Sequence, residues 1–246
     1  MHEIALQQVI AGVAVVARSI SIVEYKVEQA RFFLEQIEES GLNFFAVQCL
    51  TDAFATACRS ITFSMQAAIS DVGGFKDWYA ARMESLKTDR LSQFFNAYRV
   101  ASVHIGDTVV GGGSHFREDD GKRRVQYFFM PIPEVPNVPD EDVTSVCKAH
   151  FTTLLRVVYD AFETFRFSLD DRWYFTEDNF LQMGKSINDA FEELGFPRDW
   201  AEAASGFPEA EKWRTLRRSR TVGCQLNNVF HSYLGMTIRG PDDLVQ

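Results

Sequence analysis

The stretch that decides the fold class is residues 44–70, FFAVQCLTDAFATACRSITFSMQAAIS. Apolar side chains recur along it every three or four residues, which is the period of an amphipathic helix. These side chains are Phe44, Val47, Leu50, Phe54, Ala57, Ile61, Met65 and Ala68. Asn43 can cap the start of the segment, and the Gly73-Gly74 pair breaks the chain after it. The pattern therefore predicts a long helix that buries one of its faces.

The segments on both sides of this helix carry the same period. Residues 24–39, 75–87 and 89–104 place apolar side chains at helical spacing and charged side chains on other faces. Asp89 can cap the start of the last of these helices. We therefore predict a mainly α protein with a compact helical unit in its first hundred residues.

Two regions favour strands instead. Residues 12–23, GVAVVARSISIV, are β-branched and partly alternate in polarity, which predicts a strand. Residues 108–110 and 124–130 predict a β-hairpin, with Gly111–Gly113 and a polar tip between its strands. We expect the N-terminal strand to join this hairpin, because two strands alone are marginally stable.

Four prolines then mark an extended linker, at positions 131, 133, 136 and 139, and helical patterns resume near residue 140. These changes divide the chain into three parts. Residues 1–106 hold the N-terminal strand and the helical bundle, residues 107–131 the hairpin insertion, and residues 132–246 a C-terminal helical extension. We expect this extension to pack on the same body, because the Phe-rich first helices need covering.

Composition excludes several classes of protein. With 46% hydrophobic residues and 22 Phe, the chain can bury a core, so disorder is not expected. No apolar run approaches the ~18 residues of a membrane span, so we predict no membrane association. The four cysteines are too scattered for a disulfide framework, which predicts a cytoplasmic protein. Cys147 and His150 have a C-x2-H spacing, but zinc needs two further ligands, so we expect core residues and neither metal nor cofactor.

The charge is unevenly distributed along the chain. The 25 basic and 34 acidic side chains give a net charge of −9, which argues against a protein that coats nucleic acid. Residues 132–212 hold 17 acidic and 7 basic side chains, whereas residues 1–106 hold 11 and 9. The excess of negative charge therefore lies in residues 132–212, and it does not exclude a local phosphate-binding site in residues 1–106.

Arg99 and His104 are the candidate catalytic residues. They stand at the end of an amphipathic helix with four residues between them, Arg99-Val-Ala-Ser-Val-His104. Arginine binds phosphate through a planar fork of donors, and histidine transfers protons near neutral pH. On an ideal helix, five residues correspond to ~140° of rotation, so the two side chains share a face only if the helix loosens. The alternative interpretation is a helix-end histidine and a solvated arginine.

A second basic feature is the cluster WRTLRRSR at residues 213–220. Arg214, Arg217, Arg218 and Arg220 are candidate RNA or phosphate ligands, with Trp213 as a stacking surface. The alternative is a solvated helix face that pairs with the acidic residues 132–212.

The R-x4-H motif on the last helix of a compact helical unit resembles the HEPN superfamily (higher eukaryotes and prokaryotes nucleotide-binding). The resemblance covers residues 24–106 and includes Phe94-Phe95-Asn96-Ala97-Tyr98 before the motif, Ala57–Phe63 on the second helix and Phe75–Tyr79 at the start of the third. It implies a helical bundle that forms a homodimer, with Arg99 and His104 at the dimer interface. It also implies a metal-independent endoribonuclease of the toxin or defence type, with RNA as substrate and a protein antitoxin as a possible partner.

One departure from the family pattern favours a second hypothesis. The position after the motif arginine is often polar in active members, whereas here it is Val100. The alternative function is a catalytically inactive HEPN-like binding or scaffold protein. A third hypothesis is a small-molecule hydrolase, which would require acidic residues that converge in one pocket.

Overall fold

The computed structural model describes residues 2–105, 109–117, 123–200 and 206–244, without the side chains of residues 2–19, 104, 105, 116, 117, 123, 124 and 220. The chain divides into two compact units. One is Ile22–Val157, and the other combines Met1–Ser21 with Val158–Gln246. The chain is mainly helical with a two-stranded antiparallel sheet, which confirms the predicted mainly α class. The predicted division at residues 106 and 131 stays a prediction.

Four α-helices begin the chain, and their caps agree with the sequence. They are α1 (His2–Glu39), α2 (Phe44–Ile69), α3 (Phe75–Thr88) and α4 (Arg90–Val100). The side chain of Asn43 accepts a hydrogen bond from the Ala46 amide at the start of α2. Asp89 accepts from the Ser92 amide at 2.7 Å at the start of α4. Both caps satisfy amides that have no partner within their helix.

The prediction of a strand at residues 12–23 is wrong, because this segment is helical and belongs to α1. The helical period of α1 includes the end of this segment: Val23, Val27, Ala30 and Leu34 are all fully buried. A β-branched segment forms a strand only where a neighbouring strand supplies its hydrogen bonds. In the described residues the sheet contains only the two hairpin strands, so no third strand joins it. The cost of Val and Ile in a helix is below about 1 kcal/mol per residue and does not prevent α1.

The predicted hairpin is confirmed, with a shift in its first strand. Strand β1 (Val110–Arg117) pairs antiparallel with β2 (Arg123–Phe129). The glycines at 111–113 lie within β1 rather than between the strands, and the register shifts between Val110 and Gly113. A Cβ atom at Gly113 would lie 3.1 Å from the Tyr127 ring, so a larger residue there would crowd the partner strand.

Aromatic side chains fill the core of the Ile22–Val157 unit. Phe54, Phe94, Phe95, Tyr98 and Phe129 are all buried, and their rings meet mainly edge to face. Helix α5 (Val143–Thr164) adds buried side chains from its part up to Val157, such as Phe151 and Leu155. Edge-to-face pairs add to the stabilisation from burial alone. The high Phe content of the sequence thus has a structural role in this core.

The second unit is built from short helices around its own apolar cluster. They are α6 (Arg166–Leu169), α7 (Asp171–Tyr174), α8 (Glu177–Gln182), α9 (Ile187–Glu193), α10 (Glu209–Arg220) and α11 (Asn227–Leu234), followed by a 3-10 turn at Pro241–Asp243. Phe175, Phe180, Ala190, Trp213 and Leu216 form the cluster. Within the described part of the chain, no helix is both long enough and apolar enough to cross a membrane.

Candidate functional site

A cleft of about 460 Å³ opens in the Ile22–Val157 unit and is lined by α2, α3, α4 and α5. Each helix contributes side chains three or four residues apart, which therefore lie on one face. Helix α4 contributes Ser92, Asn96 and Arg99, and α5 contributes His150 and Leu154. The volume lies within the range of ligand-binding clefts in proteins.

The burial of Tyr98 fixes the orientation of α4, and thereby the position of Arg99. The Tyr98 side chain is buried, and its hydroxyl donates a hydrogen bond to the Asp52 carboxylate on α2 at 2.5 Å. Burial raises the pKa of Tyr98, and the negative charge of Asp52 raises it further, so the hydroxyl stays a donor. With Phe94 and Tyr98 directed into the core, the next residue, Arg99, lies at the cleft.

The cleft is electropositive in an acidic protein. Arg59, Lys87 and Arg99 line it, and none of the lining residues is Asp or Glu. Lys87 is exposed and pairs with Glu84 at 3.0 Å, so that its charge is largely offset. The two arginines therefore dominate the local field, and the cleft is suited to an anion.

Arg99 has an incompletely satisfied guanidinium. Its Nε is buried and has no hydrogen-bond partner in the part of the chain that the structure describes. Directly after α4, residues Ala101–Ile105 form a π-helical segment. A π-helix bonds residues five apart, so it reduces the rotation between the backbones of Arg99 and His104 below that of an α-helix. The helix thus loosens where a shared face of Arg99 and His104 would require it, whereas the His104 side chain lies outside the described residues.

Arg59 was not predicted as a site residue, although it lines the same cleft. Its guanidinium carbon lies 4.1 Å from the centroid of the Phe63 ring, and Nη1 donates to the Thr62 hydroxyl at 3.4 Å. Its Nε is buried without a hydrogen-bond partner among the described residues. The sequence did contain a signal: Arg59 and Asp52 are the only charged residues of α2, and Asp52 is engaged by Tyr98.

His150 forms part of the cleft wall as a neutral residue. It is 6% exposed and stacks on Phe95 with a ring-centroid distance of 4.3 Å. Burial lowers its pKa to about 4, and the nearby Asp89 only partly opposes this shift. Its Nδ1 is buried without a hydrogen-bond partner among the described residues. The predicted core position of His150 is confirmed, but the residue also reaches the cleft.

Burial makes the thiols of the two cysteines near His150 unreactive. Cys58, which lines the cleft, and Cys147 are both buried, and burial raises the pKa of each thiol. Both sulfurs therefore stay protonated at neutral pH and are poor nucleophiles. In the described part of the chain, no group of three or more His, Cys, Asp or Glu side chains could hold a metal ion.

The depressed pKa of His150 predicts acid sensitivity. The unfolded chain binds a proton at His150 near pH 6.5, whereas the folded chain binds it only near pH 4. Stability therefore falls as the pH drops from about 6.5 to about 4, by roughly 2–3 kcal/mol from this group at pH 4.5. Urea unfolding at pH 7 and pH 4.5 will measure this loss, and His150→Gln should reduce it. An equal loss in both proteins would contradict the assignment.

The predicted arginine cluster is divided between buried and exposed positions of α10. Arg217 is buried; it donates to both carboxylate oxygens of Asp242 and to the Phe175 carbonyl. Arg214 lies 3.6 Å from a Glu211 oxygen and 3.8 Å from an Asp242 oxygen. Arg218 is exposed, and the Arg220 side chain lies outside the described residues.

Trp213, the predicted stacking surface of this cluster, is only 3% exposed and belongs to the apolar cluster of its unit. It therefore presents no free ring for stacking on a base. The phosphate-binding role of the four arginines stays a prediction, although Arg217 makes the contacts of a structural residue.

The fold and the cleft together define a mainly helical protein with an arginine-lined, acid-free cleft. No family model, no curated protein and no solved structure matches the chain. The functional conclusion therefore rests on the residues themselves.

Proposed function

We propose that the chain is a metal-independent endoribonuclease of the HEPN type, which binds the RNA backbone at the cleft and cleaves it through Arg99 and His104. The observation that carries the proposal is Arg99 itself. This arginine lines a cleft free of carboxylates, and its buried Nε has no partner among the described residues. The Arg99 side chain is only half-buried, so its outer N–H groups can donate to a phosphodiester oxygen, which is a strong acceptor.

The proposed reaction needs only a base, an acid and a charged group. The RNA 2′-oxygen attacks the adjacent phosphorus, and the bond from phosphorus to the 5′-oxygen breaks. His104 takes the proton from the 2′-hydroxyl or delivers one to the leaving 5′-oxygen, water completes the other proton transfer, and Arg99 stabilises the charge on the phosphoryl oxygens. The products are a 2′,3′-cyclic phosphate, or its hydrolysis product, and a 5′-hydroxyl.

A homodimer is part of this proposal. Val100 and Val103 lie between the two motif residues as exposed apolar side chains, 39% and 55% accessible. A twofold axis near them would bring two copies of Arg99 and His104 around one cleft and would cover both valines. Light scattering after gel filtration measures the mass directly, and a dimer is expected.

The proposal is tested by incubating the purified chain with single-stranded RNA in EDTA. Cleavage that leaves 2′,3′-cyclic phosphate ends is the expected result. We place the protein in the cytoplasm, where RNA is present and cysteines stay reduced. A protein antitoxin would inhibit its ribonuclease activity in the cell.

The second candidate is an inactive HEPN-like binding or scaffold protein. Val100 favours it, because an apolar side chain next to Arg99 cannot orient the guanidinium or contact a phosphate by hydrogen bonding. This candidate predicts a chain that binds RNA or a protein partner without turnover in EDTA.

A further inference from the structure

Four polar atoms of the cleft lack hydrogen-bond partners among the described residues. They are the Nε atoms of Arg59 and Arg99, the Ser92 hydroxyl and Nδ1 of His150. They come from α2, α4 and α5 and are all buried. Buried polar groups in proteins are nearly always satisfied, and an unpaired donor costs more when its group is charged. These atoms have no accessible surface of their own, whereas the Arg59 and Arg99 side chains are only half-buried, so a ligand in the cleft would meet the outer N–H groups of the two guanidiniums.

The contrast with other arginines of the chain supports this reading. Arg217 engages Asp242 and the Phe175 carbonyl, and Arg172 binds the buried carboxylate of Asp170 at 2.7 Å. These arginines find their anions within the protein. Arg59 and Arg99 line a cleft with no carboxylate among its lining residues, so an anion that enters the cleft would meet their charge unopposed.

Arg59 is held in place for such a role. Its guanidinium stacks on the Phe63 ring, and its Nη1 donates to Thr62, which limits its side-chain freedom. Tyr79 stands beside it on α3 and donates to the Thr62 carbonyl at 2.9 Å. A cation that is already ordered loses less entropy when it binds.

We propose that Arg59 is a second phosphate-binding residue, and that Arg59 and Arg99 contact the same phosphate group of the ligand. The ligand is a phosphate ester, either within an RNA strand or on a small molecule. The inference shares with the proposed function the role of Arg99 as a phosphate ligand. It requires neither cleavage nor His104.

Equilibrium titration calorimetry at low salt tests the inference with three probes: inorganic phosphate, adenosine 5′-monophosphate and a single-stranded RNA decamer with a 5′-hydroxyl. We expect Arg59→Ala to weaken binding about tenfold or more. Arg59→Lys keeps the charge but loses the fork, so it should bind with intermediate affinity. Arg156→Ala is the matched control, because Arg156 is an exposed arginine of α5 outside the cleft.

The double variant Arg59→Ala/Arg99→Ala tests whether one phosphate is shared. Contact with the same group predicts losses that are not additive, because the residues then act as a unit. Independent losses from the two sites would overturn the shared phosphate. Thermal unfolding of each variant checks that the fold is retained.

The probes also identify the source of the phosphate. Binding of the decamer alone, dependent on Arg59, assigns the cleft to an RNA strand, whereas binding of the mononucleotide assigns it to a small phosphate ester. Unchanged binding of every probe by Arg59→Ala, or no binding by the wild type, would overturn the inference. RNA cleavage that needs Arg99 and His104 but is indifferent to Arg59→Ala would leave the proposed function intact while the inference fails. Conversely, Arg59-dependent binding without cleavage would remove the catalytic proposal alone.

Discussion

Arg99→Ala is expected to lower the rate of RNA cleavage by about 10²–10³-fold, the usual cost of removing a group that stabilises transition-state charge. His104→Ala should lower the rate of cleavage by roughly 10²–10⁴-fold, because water must then accept or donate the proton in place of the histidine. The two variants should differ in binding, since the proposed role of Arg99 includes contact with the phosphate already in the ground state. Single-turnover rates in EDTA at saturating protein will separate these effects.

Two controls make the result on cleavage interpretable. Arg156→Ala removes an exposed arginine far from any predicted role, and it should cleave at the wild-type rate. Arg99→Lys retains the charge without the planar fork and should recover only part of the activity. Full cleavage by both Arg99→Ala and His104→Ala would mean that another site, or a contaminating nuclease, produces the activity.

The second large effect is expected on stability, at Arg217. Replacing it with alanine removes three hydrogen bonds: it leaves Asp242 with only the more distant Arg214, at 3.8 Å, and takes a donor from the Phe175 carbonyl. Breaking such a buried, hydrogen-bonded pair should reduce the free energy of unfolding by about 2–4 kcal/mol. Guanidinium unfolding followed by tryptophan fluorescence is a suitable measurement, because Trp213 lies in the same unit.

Arg218→Ala is the matched control, because Arg218 is an exposed neighbour on the same helix. It should change the unfolding free energy by no more than about 0.5 kcal/mol. If Arg217→Ala instead proves as stable as the wild type and loses affinity for RNA, the phosphate-binding role predicted for the cluster gains support over a structural one.

The parts of the fold that could be predicted were those with a strong local signal. Helices α2 and α4 were predicted from the helical spacing of their apolar residues and from the capping residues Asn43 and Asp89. The strand prediction for residues 12–23 was wrong because β-branched side chains raise strand propensity, whereas a strand also needs a partner strand, and the described residues provide none for this segment. The glycines of β1 resembled a loop, because the close approach of Gly113 to Tyr127 and of Gly111 to Met130 cannot be seen without the pairing register.

The candidate site was predictable only at Arg99, where a motif exists. Arg59 and His150 come from helices distant in sequence, and only packing brings them to the same cleft. The sequence predicted that His150 is a core residue, and the side chain is indeed buried. A buried side chain can still form part of a cleft wall, which the sequence did not indicate. In the cluster at 213–220 the sequence indicated residues whose environments differ. The four arginines cannot be distinguished in the sequence, although Arg217 is buried against Asp242 and Arg218 is exposed.

The neutral state of His150 has a consequence for how the cleft would select among phosphate esters. Arginine carries its charge at every physiological pH, and burial keeps His150 uncharged and raises the pKa of Tyr79. The arginines, His150 and Tyr79 therefore keep one charge state between about pH 5 and pH 9, and with His104 replaced by alanine a change in binding across this range is expected from the phosphate ester itself. A monoester gains its second charge near pH 6, whereas a diester keeps a single charge throughout. A binding isotherm that strengthens across pH 6 would thus mark a terminal phosphate, and a flat one would mark the interior of a strand.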